Sequence, residues 1–211
     1  MPIPNRTQLI TDLQGIITSQ LTNFQYRGGP SLHFYHRVRA VRQQHPSISS
    51  FLADNSALEL VYATLVAWDM DGRGAKLQDY GDFCKNLRGA GQQLQAVEVA
   101  LPNFTWTSRT AMISALESAY DSLTLMETNG RLVSNSKCLH FLFPAVCMPM
   151  DRRNTLTKIY GNGTYESKHK FLELINLAYD VVAGLSNPSQ YHDTRWNTCD
   201  MKLVDNAIII K

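Results

Sequence analysis

Apolar positions recur at helical spacing along almost the whole chain. Leu9, Ile10, Leu13, Ile16, Ile17 and Leu21 trace one face of a first helix, with Asn5 or Thr7 in capping position. Gly28-Gly29-Pro30 breaks the pattern, and Ser31 opens a second helix that runs to about Gln44, just before Pro46. Asp54-Asn55-Ser56 starts a third, whose apolar face carries Leu58, Val61, Tyr62, Leu65 and Val66. Helical stretches follow at about 77–87, 91–100 and 108–126. Residues 134–143 read as a short, very apolar helix stopped by Pro144, and Pro149 with Asp151 opens another through Ile159. Gly161-Asn162-Gly163 is the second strong break. Phe171, Leu174, Ile175, Ala178 and Val182 then mark a long helix, and a last one begins near Thr198. Its end, Ile208-Ile209-Ile210, is β-branched and fits a strand as well as a helix. With no alternating strand pair, fixed repeat or linker in view, the pattern predicts one all-α, compact multi-helix domain over 1–211.

Composition narrows the class without naming a partner. Of 211 residues, 44% are hydrophobic and 18% charged, which is globular and not disordered. The longest apolar runs fall far short of the ~20 residues that span a bilayer. The N-terminus has no basic region followed by an apolar one, so no signal peptide is expected. Cys84, Cys138, Cys147 and Cys199 form no C-x-x-C pair and no disulfide framework, which predicts reduced thiols in a cytoplasm. His33 and His36 stand at i,i+3 but lack an evident third ligand, so no metal or other cofactor is expected.

The net charge is only +2, yet its distribution is uneven. No acid occurs between Leu13 and Ala53, where Arg27, Arg37, Arg39 and Arg42 lie, interleaved with Phe24, Tyr26, Phe34 and Tyr35. Between Thr128 and Tyr165 the only acid is Asp151, against Arg131, Lys137, Arg152, Arg153 and Lys158. Brought together, these segments would form a basic face for phosphates; kept apart, they are separate solvated faces. Arg73-Gly74-Ala75-Lys76 is a further basic turn, without the pattern of a nucleotide-phosphate loop.

One segment is chemically unusual. Lys137 falls in the first turn of the predicted apolar helix, where the macrodipole is positive and a lysine is out of place. That field, with burial, lowers the amine's pKa and supplies neutral amine, a nucleophile able to form a Schiff base. A helix of about eight residues rises ~12 Å. The loop 144–150 can span that distance back at ~3.3 Å per residue, so Asp151 can return towards Lys137. His140, three residues after Lys137, shares its helix side and would line the same pocket, as would Trp68. Plainer roles stand beside these: Asp151 as a helix cap, Lys137 reaching solvent, and His140 and Trp68 as core.

A lysine opening an apolar helix, then a proline-containing loop, then an aspartate that starts the next helix, resembles the core of the helix-hairpin-helix base-excision DNA glycosylases. The 8-oxoguanine branch is the nearest. The resemblance implies a helix-hairpin-helix glycosylase-like fold and double-stranded DNA as partner. It also implies Lys137 as the nucleophile at the sugar C1′, and Asp151 as stabiliser of the positive charge developing there. The family's hairpin carries glycines two and four residues before the lysine, where this chain has Asn135 and Val133. Lys137 and Asp151 are 14 residues apart, fewer than the family usually shows. Blocks at 62–65, Trp68, Met70, 73–76 and 136–151 also look like a group of poorly characterised microbial proteins, a similarity that implies a shared all-α fold and no particular activity.

Three functions follow as expectations. The first is DNA repair by a glycosylase, with or without lyase activity, acting on a damaged base flipped from the duplex. The second is a DNA- or RNA-binding protein of the same fold without catalysis. The third is a protein-interaction module with an apolar groove. The expected nucleic-acid contacts are Arg37, Arg39, Arg42, Arg73, Lys76, Arg152 and Arg153.

Overall fold

The computed structural model describes residues 2–21, 28–72, 74–161 and 165–211. Its regular elements are helical: α1 (Arg6–Ser19), α2 (Pro30–Gln44), α3 (Ile48–Ala53), α4 (Asn55–Ala67), α5 (Tyr80–Gly89), α6 (Gly91–Ala100), α7 (Thr110–Ser122), α8 (Leu132–Leu142), α9 (Thr157–Tyr160), α10 (Lys168–Ala183) and α11 (Asp200–Ile210). A π-helical turn, Arg152–Leu156, runs into α9. Among the described residues there is no strand, only an isolated antiparallel bridge between Leu77 and Met126. No helix there is long and apolar enough to cross a membrane.

Local chemistry accounts for many of the boundaries. Ser47 and Ser50 form a reciprocal capping box at the start of α3, a helix the apolar spacing did not reveal. Asp54 caps α4 through Ser56 N–H, Asp79 caps α5, and Ser167 caps α10. Gly29, at φ 115°, takes the place expected of Ser31 before α2, and the Ser31 hydroxyl instead donates to Ala67 O. Gly161 ends α9 at φ 78°; Asn162 and Gly163 of the same predicted break lie outside the described residues, as do Phe24, Tyr26 and Arg27. The strand-like C-terminus is helical through Ile210, because it packs against α1 and α10.

α8 is the centre of the fold. Every residue from Leu132 to Leu142 is buried, and α2, α4, α7 and α10 pack around it. A helix enclosed on all sides must be apolar all round or must satisfy its polar groups internally. α8 does the second. Asn135 Nδ2 donates to Tyr120 O at 3.0 Å and Leu123 O at 3.1 Å, closing the C-terminal end of α7. Ser136 Oγ donates to Val133 O and accepts Met150 N–H at 3.1 Å. α8 also begins earlier than the apolar run predicts, so Lys137 is its sixth residue and sits in the second turn. The amine is therefore governed by burial more than by the helix N-terminus, whose field fades within the first turn.

Candidate functional site

Loop 143–150 is stitched back along α8, and this is what brings Asp151 to Lys137. Met150 N–H donates to Ser136 Oγ, one residue before Lys137. His140 Nδ1 pairs with Cys147 O at 2.7 Å, and the Cys147 thiol points to Ser136 O. The chain then enters the π-helical turn with Asp151 as its cap. Asp151 Oδ1 accepts from Arg153 N at 2.9 Å and Asn154 N at 3.0 Å, while Oδ2 lies 3.9 Å from Lys137 Nζ. Capping and facing the lysine are thus not alternatives: one oxygen does each.

Lys137 does not reach bulk solvent. It is 6% exposed, and its amine donates to Trp68 O at 2.8 Å, with Met70 Sδ at 3.6 Å and the Trp68 ring centroid at 5.8 Å. Burial lowers its pKa from the ordinary lysine range. The Asp151, Asp205 and Asp69 carboxylates oppose that shift and the Lys202 ammonium adds to it. Two adjoining cavities meet at Lys137, sharing Trp68, Asp69, Asp151 and Asn154. One of about 350 Å³ runs towards Trp196, Lys202 and Asp205; the other, of about 740 Å³, runs towards Gly72, Gly130, Arg152 and Arg153.

The first cavity contains residues the sequence reading missed. Lys202 and Asp205, one turn apart on α11, form a buried ion pair, with side chains 5% and 7% exposed. The Lys202 ammonium lies 5.3 Å from the Trp68 ring and 5.2 Å from the Trp196 ring, so it sits between two aromatic faces. The signal was present: a lysine and an aspartate at i,i+3 among Met201, Leu203, Val204, Ala207 and Ile208 break an otherwise apolar face. Asp69, just after α4, holds a left-handed φ of 65° and lines both cavities. Aspartate tolerates that conformation better than most residues do.

Trp68 packs against the core and lines the cleft, held by its Nε1–H to Ser31 O. His140 does not. It is fully buried behind Tyr35, whose hydroxyl is 2.9 Å from His140 Nε2, and Tyr35 stacks in turn on Trp196 at 6.0 Å. The i,i+3 spacing put His140 on roughly the right side of α8, but Tyr35 of α2 fills the space between. Burial pushes its pKa down to about 3 and holds the ring neutral, with the Cys147 carbonyl opposing.

The basic residues fall into separate places. Arg152 and Arg153 line the larger cavity, Arg152 paired with Glu166 at 3.0 Å. Arg39 and Arg42 line a different cavity beside Phe141 and Pro144, and Arg37 a groove between α2 and α4. Arg42 pairs with Glu98 at 2.7 Å, and Lys76 pairs with Glu127 at 2.8 Å on the surface. Within the acid-free stretches, Arg42 and Arg152 are paired with carboxylates that folding delivers from outside them. Arg73 lies outside the described residues. Among the described residues, no group of three or more His, Cys, Asp or Glu side chains could hold a metal ion. No family model matches the chain, and no curated protein or solved structure matches it.

Proposed function

We propose that the chain is a DNA glycosylase with associated lyase chemistry, of the helix-hairpin-helix kind that its 136–151 segment resembles. The observation that carries this reading is the desolvated Lys137 amine, 3.9 Å from the Asp151 carboxylate, at the junction of two cavities walled by Trp68. A neutral Lys137 attacks C1′ of a damaged nucleotide. The bond from C1′ to the base breaks, its electron pair leaves with the base, and the proton lost by the amine ends on the departing base. Asp151 stabilises the positive charge that develops at C1′. Opening of the sugar ring gives a Schiff base that borohydride reduces to a stable adduct.

Borohydride trapping on a panel of damaged duplexes tests this. The wild-type chain is expected to form an adduct that Lys137→Gln abolishes. Asp151→Asn is expected to slow base release while leaving DNA affinity nearly intact. An adduct that survives in Lys137→Gln would overturn the assignment, as would the lack of both adduct and base release across the panel.

One observation favours a second reading, the non-catalytic nucleic-acid-binding protein. Asp205 arrives from α11 as a second carboxylate acting on Lys137, and such a group favours the ammonium form. That protein would bind DNA or RNA with a steep salt dependence and form no adduct.

A further inference from the structure

The cavity beside α2 holds an arginine pair whose donors are not used up. Arg39 and Arg42 stand at i,i+3 on one face of α2 and line a space of about 300 Å³ with Gln43, His45, Phe141 and Pro144. Among the described residues, no carboxylate lines it. Arg42 spends its Nη atoms on His45 O and Glu98. Arg39 makes one hydrogen bond, Nη2 to Thr198 O at 3.2 Å, and lies over the Tyr35 ring, with no carboxylate partner among the described residues. The Nε–H groups of both arginines are buried without an acceptor among the described residues. Those two atoms are closed off from water, so the donors left open to a ligand are the unspent Nη–H groups of Arg39, in a side chain that no carboxylate among the described residues compensates. The space is several times the ~30 Å³ that one water occupies. Planar guanidinium forks match an oxyanion, and they do so more strongly than neutral donors.

We infer that Arg39 and Arg42 form an oxyanion site that takes a phosphate group, either the phosphate of a small ligand or a backbone phosphate of a nucleic acid. The site does not depend on Lys137 chemistry. Its failure would leave the trapping experiment untouched, and a failed trapping experiment would leave this site standing.

The test follows the arginine Nε–H resonances of the full chain by ¹⁵N NMR during titration with inorganic phosphate, against sodium chloride at matched ionic strength. Phosphate is expected to shift the Arg39 and Arg42 signals saturably, and chloride to leave them in place. Arg39→Gln is expected to weaken phosphate binding at least tenfold by calorimetry, and Arg39→Lys, which keeps the charge and loses the fork, several-fold. A third arm uses a short undamaged duplex. If the duplex moves the same signals and inorganic phosphate competes with it, the source is nucleic-acid backbone; if only phosphate moves them, the source is a small ligand. Unmoved Nε–H signals, or equal shifts with phosphate and chloride, would overturn the inference even if the variants fail to fold.

Discussion

Lys202→Met is the sharpest test of how the cleft is held together. Lys202 and Asp205 are 5% and 7% exposed, so water does little to screen the pair. Methionine fills nearly the lysine volume between Trp68 and Trp196 but leaves Asp205 as a buried carboxylate without its partner. Removing one member of a buried pair costs about 3–5 kcal/mol, far more than the interaction of an exposed pair. For a chain of this length each kcal/mol moves Tm by about 2–4 °C, so the variant is expected to melt roughly 6–20 °C below wild type at pH 7. Burial already raises the pKa of Asp205, with Lys202 the leading opposing influence. A carboxyl whose folded pKa lies above its unfolded value of ~3.9 favours folding most at low pH and loses that contribution as pH climbs through the folded value. The variant's deficit should therefore close towards about pH 4 and widen as pH rises. Lys202→Met combined with Asp205→Leu removes both charges and should recover most of the loss. Thermal melts followed by circular dichroism read all of this. A single variant within about 2 °C of wild type at pH 7 would refute the argument that the pair is energetically coupled.

The lowered pKa of Lys137 predicts that the rate of adduct trapping rises with pH and levels off below the ordinary lysine range; a rise that continues unchanged through that range would contradict it. His140, held near pKa 3 against ~6.5 when unfolded, contributes stability above pH 6.5 that is lost progressively as pH falls towards 3, at up to about 1.4 kcal/mol per pH unit. His140→Phe should flatten that part of the pH–stability curve, at the expense of the Tyr35 and Cys147 contacts. Asp151→Asn should keep the helix cap, since asparagine caps as well as aspartate does, and cost about 1 kcal/mol or less for the lost charge of a part-exposed pair, and urea titration separates that from its effect on base release.

Apolar spacing and capping residues act within a few positions of one another, so the helical class and most of the elements were legible in the linear chain. The chemical oddity of 136–151 was legible too: a lysine inside an apolar helix, and an aspartate alone in a long acid-free stretch, are anomalies visible without a fold. Chain length allowed Asp151 to return to Lys137, and the hydrogen bonds of loop 143–150 to α8 hold it there. What the tertiary structure decided was which charges meet. Glu98 and Glu166 come from outside the basic stretches to pair with Arg42 and Arg152, an outcome that neither acid-free window shows by itself. Tyr35 comes from α2 to cover His140, and α11 brings Lys202 and Asp205 to the lysine from some 65 residues downstream. Helical periodicity is local and survives in the sequence. Electrostatic surroundings in a low-dielectric interior are summed over every segment that packs nearby, and that sum exists only once the chain has folded.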